Sequence, residues 1–232
     1  MIASLGRRFA RLATNAVLAK PQLWRLLRAP MRRQFQGLAG EWDTILGPDH
    51  LETYEAALGA LPAAPRRALD VGTGTGAGAF AIARRFPQAE VVGVDLASGM
   101  VEEARRKTPA ELRDRVSFET GDASKLPFED ESFDLVAHAN MIPFFDEVAR
   151  LVAAGGYVVF SFSGGPQTPI YVPPERLRRE LAARTFSDAR RGDLVLYEDS
   201  YSNVSIAISN GNAADLLRAR PGQELRIDVD VP

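Results

Sequence analysis

The feature that most constrains this chain is a glycine-rich turn that follows a short apolar run. Residues 68–78 read Ala-Leu-Asp-Val-Gly-Thr-Gly-Thr-Gly-Ala-Gly. The apolar residues predict a buried strand, and glycine allows a tight turn whose backbone approaches a ligand where a Cβ would collide. Residues 77–85 favour a helix, whose free N–H groups would face whatever lies over the turn. We therefore predict a strand, a ligand-binding turn and a helix, with Asp70 at the mouth of the strand.

Strand-like and helical patterns alternate from residue 67 onward. Strands are predicted at about 67–71, 90–95, 115–120, 133–139 and 156–162, and helices at 76–86, 98–107 and 144–153. This alternation specifies an α/β fold with a parallel sheet, helices on both faces and ligands at the carboxyl ends of the strands. A later helix is predicted at 174–184. Two strands, 193–197 and 204–209, are predicted to form an antiparallel pair at one sheet edge.

Composition limits the classes of protein to which the chain can belong. The 232 residues are 46% hydrophobic and 25% charged, which suits one soluble domain with an appendage. The absence of cysteine and the presence of only two histidines exclude a disulfide framework and a zinc cluster. No run approaches the roughly 18–20 apolar residues of a membrane span, and no signal-peptide pattern is found. We expect a cytoplasmic protein, with peripheral membrane contact as an option.

The first 40 residues form a basic head. They hold eight basic residues and no acid, whereas the remaining 20 basic residues are set against all 30 acidic ones. Two amphipathic helices are predicted here, the first with Leu5, Phe9, Leu12 and Ala16 on its apolar face and the second with Leu23, Leu26, Leu27 and Met31. The head either packs on the acidic body, contacts an anionic membrane or an acidic protein, or is a cleaved transit peptide.

Two further carboxylates follow neighbouring strands. Asp95 ends the second strand about 20 residues beyond the turn, where it would accept hydrogen bonds from both ribose hydroxyls of a nucleoside. The turn and Asp95 together still allow a nicotinamide, a flavin or another adenosine cofactor. Asp122 directly follows the third strand, where an acid can accept an adenine's exocyclic amine.

Four ordered segments carry a resemblance to a known family. Residues 69–76, 91–100, 121–136 and 151–156 are similar to the motifs of the class I S-adenosylmethionine-dependent methyltransferases, particularly the small-molecule branch like the quinone-biosynthesis enzymes. The resemblance implies a Rossmann-like sheet of order 3-2-1-4-5-7-6 with an antiparallel last strand, and S-adenosylmethionine as cofactor. The residues that would hold the cofactor, on matching positions, are Asp70, Gly72, Thr73, Gly74 and Gly76 for the methionine portion, Asp95 for the ribose, Asp122 and Ala123 for the adenine, Leu96 and Met100 beside the base, and Asn140 near the sulfonium.

The acceptor is expected to be a small apolar or aromatic molecule. Trp42, Met141, Ile142 and Tyr171 would line an apolar vestibule, which favours such a ligand. The acidic body disfavours RNA or DNA. A general base is needed only for an acceptor that arrives protonated. The candidates are His138 and Asp43, with Asp146 and Tyr171 as further ones. His138 falls inside the fourth predicted strand, where it is alternatively a core histidine.

The sequence also suggests a division of the chain and two alternative functions. Residues 1–45 would form a helical appendage or lid, 46–209 the cofactor-binding methyltransferase domain, and 210–232 an extension of uncertain structure. One alternative is a catalytically inactive cofactor-binding subunit that docks through the basic head. The other is an oxidoreductase that uses NAD, which shares the glycine turn but does not use an acid after the third strand.

Overall fold

A computed structural model describes residues 2–185 and the backbone of two later strands. Its α-helices are α1 (Ile2–Ala19), α2 (Trp24–Leu38), α3 (Trp42–Leu46), α4 (Glu52–Gly59), α5 (Ala77–Arg85), α6 (Ser98–Lys107), α7 (Phe145–Leu151) and α8 (Pro174–Thr185). Its strands are β1 (Arg67–Val71), β2 (Glu90–Asp95), β3 (Val116–Thr120), β4 (Phe133–Ala139), β5 (Val152–Ser161), β6 (Leu194–Glu198) and β7 (Val204–Ile208). The elements predicted within residues 210–232 lie outside the described residues.

The first five strands form one parallel sheet in the order β3-β2-β1-β4-β5. Its interior strands are apolar on both faces, as a sheet between two helical layers requires, and Leu69, Leu135 and Val136 are fully buried. In the register, Asp70 lies beside Gly93 and Asp95 beside Thr120. The sheet therefore brings the carboxyl ends of β1, β2 and β3 to one edge.

The predicted continuation of this sheet as 7-6 is not supported. β6 and β7 are antiparallel, as expected, but they pair with each other in a separate two-stranded sheet. Strands joined by a short connection close on one another at a small entropic cost, and their sequences carry no signal for a third partner. The predicted seven-stranded order is therefore supported only for its first five strands.

The N-terminal helices form as predicted, and Met31 of α2 is buried as expected, but α1 presents a different face. The buried stripe of α1 is Ala10, Ala13, Thr14 and Val17, whereas Leu12 is 69% exposed. Small side chains at this spacing allow closer packing than the leucines that we expected to point inward. The second helix also continues past Pro30 to Leu38. Pro30 has no N–H to donate to the carbonyl of Leu26. Because Leu26 is 73% exposed, that carbonyl lies on the solvent-facing side of the helix, where water can bond it.

Contacts divide the chain into two compact units, Met1–Arg178 and Arg179–Pro232. The boundary at residue 210 that the sequence suggests stays a prediction. Within the described residues, no helix has the length and apolar character to cross a membrane.

Candidate functional site

A cavity opens at the carboxyl ends of the central strands. One part of its wall carries the polar groups of the glycine turn and of β2, and the rest is apolar. The cavity is lined by Trp24, Met31, Phe35, Trp42, Leu46, His50, Leu51, Asp70, Gly72, Thr73, Gly74, Thr75, Ala77, Gly78, Val94, Asp95, Leu96, Met100, Gly121, Ala123, Ala139, Asn140, Met141, Ile142 and Ile170. Most residues predicted to bind a cofactor are therefore in one place.

The glycine turn has the backbone conformation that its sequence predicts. Gly72 and Gly74 have φ of 72° and 55°, values that favour glycine. A Cβ on Gly74 would lie 2.9 Å from Trp42 Nε1, so the indole covers the turn closely. Gly76 has a different role from the one predicted. It does not line the cavity, and a Cβ on it would lie 2.9 Å from the rings of Phe80 and Phe118, which makes it a packing residue between α5 and the sheet.

Asp70 is held by a network of donors below the turn. Its carboxylate accepts hydrogen bonds from the hydroxyls of Tyr54 at 2.9 Å and Thr73 at 2.6 Å, and from the backbone N–H of Ala79. Burial raises the pKa of Asp70 to about 6, and the negative charge of Asp95 adds to this effect, although the three donors favour the charged form. Asp70 is therefore a buried carboxylate that titrates close to neutrality.

Asp95 connects the end of β2 to the turn. One carboxylate oxygen accepts the N–H of Gly74 at 3.0 Å, and the other accepts that of Ala97 at 2.9 Å. Burial raises the pKa of Asp95, and these backbone hydrogen bonds oppose the rise. A carboxylate oxygen accepts more than one hydrogen bond, so both oxygens retain capacity for a ligand. Leu96 and Met100 follow on the cavity wall and supply its flat apolar part.

Asp122 is occupied by the N-terminal helices. Its Oδ1 accepts the indole N–H of Trp24 at 2.7 Å, and its Oδ2 forms an ion pair with Arg28 at 3.4 Å. Burial alone would raise the pKa of Asp122, but hydrogen bonds from Ser124, Trp24 and Arg28 hold it below its usual value. The neighbouring Gly121 and Ala123 line the cavity, whereas Asp122 itself does not. The Asp122 carboxylate, which was predicted to contact the adenine, therefore binds α2 in the structure.

Three other predicted site residues do not line the cavity. His138 is buried within β4 and stacks on Phe160 at 4.8 Å, and burial lowers its pKa to about 3, so it is a neutral core residue. Asp43 is half exposed and accepts hydrogen bonds from Lys107 and Thr75, which outweigh its burial and lower its pKa. Tyr171 packs on Phe162. Its neighbour Ile170 lines the cavity instead.

The remaining predicted residues meet at the cavity. Trp42, Met141 and Ile142 contribute to its apolar wall. Asn140 has a φ of 53°, and its side chain exchanges hydrogen bonds with Ser163. Asparagine tolerates this left-handed conformation better than most residues.

Sequence patterns missed three residues of the site, which are Trp24, His50 and Tyr54. Trp24 and Tyr54 are buried and donate to the carboxylates described above. Buried aromatics at helical spacing look like ordinary core residues. The polar groups of these side chains were the signal that could have identified them, because a buried indole N–H or phenol hydroxyl needs a hydrogen-bond partner.

Comparisons with known proteins agree with this geometry. A family model described as a methyltransferase domain matches residues 68–156, and one described as the SAM hydroxide adenosyltransferase C-terminal domain matches residues 162–226. Demethylmenaquinone methyltransferases from Deinococcus radiodurans and Clavibacter sepedonicus are 36% and 31% identical over 56% and 77% of this chain. A malonyl-[acyl-carrier protein] O-methyltransferase from Halorhodospira halophila is 33% identical over 61%. The alignments span 58%, 69% and 50% of those three relatives' own lengths.

Solved structures support the same fold. One chain of the Haloferax volcanii complex between the Trm112 methyltransferase activator and a methyltransferase aligns with a TM-score of 0.55 at 24% identity, over 72% of this chain and 79% of that one. An S-adenosyl-L-methionine-dependent methyltransferase from Methanococcus maripaludis aligns with a TM-score of 0.54 at 18% identity, over 75% and 92%. At these identities the likeness concerns the fold alone.

Proposed function

The chain belongs to the class I S-adenosylmethionine-dependent methyltransferases, and we propose that it transfers a methyl group from that cofactor to a small apolar or aromatic acceptor. The observation that carries the proposal is the two-part cavity. Its polar part, at Asp95 and the glycine turn, suits a nucleoside with a charged amino acid. The apolar part of its wall includes Met31, Trp42, Met141 and Ile142.

The residues of the polar part fit the cofactor. Asp95 lines the cavity, and the two oxygens of its carboxylate match the two neighbouring hydroxyls of a ribose. Gly72 and Gly74 allow the methionine portion to lie against the backbone. Leu96 and Met100 offer an apolar surface for the adenine. Because Asp122 is engaged by Trp24 and Arg28, the adenine amine would share Asp122 with these donors or displace them.

The chemistry leaves the protein with the tasks of alignment and exclusion of water. S-adenosylmethionine supplies a methyl group that is already activated by its positive sulfur. The side chains must hold the acceptor atom in line with that methyl and keep water away. Trp42 over the turn and Met141 against Gly72 close the cavity on two sides. We propose that residues 1–45 act as a lid, which the positions of Trp24, Met31, Phe35 and Trp42 on the wall support.

The relatives differ in the acceptor that they name. Two are named for demethylmenaquinone and one for the malonyl-[acyl-carrier protein]. The aromatic wall of Trp24, Phe35 and Trp42 favours an aromatic ring, which stacks on such side chains. We therefore propose a quinol or another phenol as acceptor. The nicotinamide alternative is wrong, since the family is that of the methyltransferases, and an inactive subunit is not favoured because the curated relatives are named as enzymes.

A turnover assay with a labelled methyl group tests the proposal. The panel holds a reduced short-chain demethylmenaquinone, a simple catechol, a fatty acid and an RNA oligonucleotide. We expect S-adenosylhomocysteine and a methylated product with the quinol or the catechol, and none with the RNA. Transfer to the RNA alone would contradict the proposal.

The same assay decides a second candidate function. Residues 162–226 match a family model named for a SAM hydroxide adenosyltransferase. This name favours transfer of the adenosyl group to hydroxide. That reaction would release adenosine and methionine without any acceptor. Chromatography of the products separates the two, because methyl transfer releases S-adenosylhomocysteine instead.

The basic head retains a proposed role at an anionic membrane or an acidic protein. Arg7 and Arg11 donate to backbone carbonyls of residues 166–168, and Arg28 pairs with Asp122. The proposal rests on arginines whose side chains are exposed and form no such bond with the part of the chain that the structure describes. These include Arg8, Arg25, Arg32 and Arg33.

The titration of Asp70 predicts how cofactor affinity depends on pH. The cofactor carries a net positive charge, so affinity should weaken as the pH falls through about 6 and Asp70 becomes neutral. Tyr54→Phe removes a donor that lowers the pKa of Asp70, so the midpoint should move to higher pH. Calorimetry from pH 5 to 8 measures this, with Tyr157→Phe on β5 as the matched control. An unmoved midpoint in Tyr54→Phe would assign the titration to another group, such as Asp95.

Folding stability should respond to the same group. The native pKa of Asp70 lies above its ordinary value of 3.8. The native state therefore binds the proton more tightly than the unfolded chain. The associated stability is complete below pH 3.8 and is lost as the pH rises through about 6.

A further inference from the structure

One imidazole lies on the apolar wall of the cavity, outside the residues assigned to the cofactor. His50 follows the turn Gly47-Pro48-Asp49 and contributes to the wall between Leu46 and Leu51. It is half-buried. The cavity's two carboxylates, Asp70 and Asp95, are both bound by protein donors. Among the described residues that line the cavity, His50 is therefore the third titratable side chain, beside these two carboxylates.

The backbone fixes the tautomer of this ring. His50 Nδ1 lies 2.7 Å from the carbonyl oxygen of Gly47. A carbonyl oxygen only accepts hydrogen bonds, so Nδ1 must carry the proton. Gly47 has a φ of 76°, which favours glycine, and this conformation directs its carbonyl at the ring. In the neutral imidazole, Nε2 is then the basic nitrogen, and no described residue donates to it.

We propose that His50 Nε2 is the general base that deprotonates the acceptor, an inference that rests on the proposed methyl transfer. As the acceptor oxygen or carbon forms its bond to the methyl carbon, its own bond to hydrogen breaks and that proton moves to Nε2. The electron pair of the broken methyl–sulfur bond stays on sulfur. The positive charge that leaves the sulfonium thus reappears on the imidazolium. The hydrogen bond from Nδ1–H to the carbonyl oxygen of Gly47 continues to orient the ring.

The charges around His50 are compatible with this role. Asp43 on α3 interacts electrostatically with the imidazole, and the negative charge of Asp43 is shared with Lys107 on α6. Asp70 and Asp95 lie across the same cavity. These carboxylates stabilise the imidazolium that forms during the reaction. Lys107 and Arg106, both on α6, are the described lysine and arginine side chains that interact electrostatically with Asp43.

Two measurements test the assignment, and the first needs neither cofactor nor acceptor. Nitrogen-15 NMR of the imidazoles in the free, full-length protein should show His50 as the Nδ1–H tautomer at neutral pH. His50→Gln identifies the resonance by its loss. An Nε2–H tautomer would overturn the proposal, because Nε2 would then hold a proton that it is meant to accept.

The second measurement compares His50→Gln with the wild type on the reduced short-chain demethylmenaquinone. Loss of a general base typically costs about 10²–10⁴-fold, so we expect kcat to fall at least about 100-fold. The acid limb of the pH profile should disappear, and imidazole in solution should partly restore His50→Ala. The dissociation constant of S-adenosylhomocysteine should stay within about twofold, which shows that the cavity is intact.

Asp49→Asn, an exposed neighbour outside the cavity wall, is the matched control and should retain the wild-type profile. If His50→Gln keeps the wild-type kcat and acid limb, the base assignment is wrong while the methyltransferase function stands. If the wild type transfers no methyl group to the quinol or the catechol, the proposed function fails, and the base assignment fails with it.

Discussion

Asp95→Ala is expected to raise the dissociation constant of S-adenosylhomocysteine by about 10²–10⁴-fold. The carboxylate would hold both ribose hydroxyls, and each hydrogen bond to a charged group contributes about 1.5–3 kcal/mol, where 1.4 kcal/mol is a tenfold change. Its loss also frees the N–H groups of Gly74 and Ala97, which it accepts in the structure. Calorimetry with the purified protein measures the effect.

Glu90→Ala is the matched control for this variant. Glu90 begins the same strand, β2, and its side chain is exposed at the opposite end. It should bind the ligand as the wild type does. If Asp95→Ala retained its affinity within about threefold while its circular dichroism stayed native, Asp95 would not be the ribose ligand.

Gly76→Ala is expected to destabilise the fold by about 2–5 kcal/mol. The position has a φ of 93°, which costs an L-residue about 1–2 kcal/mol, and overpacking adds about 1–3 kcal/mol. A Cβ there would lie 2.9 Å from Phe80 and Phe118 and 3.1 Å from Ala104. Denaturant unfolding measures the change in free energy.

Gly37→Ala provides the contrast, because this glycine lies within α2 and a Cβ would meet nothing within 4 Å. Alanine favours the helix by about 0.5–1 kcal/mol, so stability should stay equal or rise. A Gly76→Ala variant as stable as the wild type would show that the turn does not need its left-handed conformation.

The central sheet and the polar half of the site could be predicted from the sequence. The alternation of strands and helices predicts the parallel sheet, and the family resemblance implies the order β3-β2-β1-β4-β5 of its first five strands. The positions of Asp70 and Asp95 at the strand ends then follow from the register. These features depend on patterns that are local along the chain.

The features that the sequence did not predict depend on contacts between distant segments. Trp24 meets Asp122 across 98 residues, and Tyr54 meets Asp70 from a helix that precedes the sheet. No spacing rule connects such pairs. Hydrophobicity also favoured Leu12 over the smaller Ala13 as a buried residue of α1, whereas close helix packing selected the small side chain.

Tyr171 was predicted to line the acceptor part of the cavity, but it is the preceding residue that does so. Tyr171 is the more conspicuous residue for ligand binding, yet Ile170 lines the cavity while the Tyr171 ring packs edge-to-face on Phe162. In a loop without regular periodicity, the sequence does not determine which of two neighbours points inward.

A crystal structure of the full-length protein with S-adenosylhomocysteine tests the central claim most directly. The account predicts that both ribose hydroxyls lie within about 3 Å of the Asp95 carboxylate, that the homocysteine lies over Gly72 and Gly74, and that its sulfur faces the apolar wall that includes His50. A nucleoside bound elsewhere, with Asp95 still bonded only to Gly74 and Ala97, would contradict it.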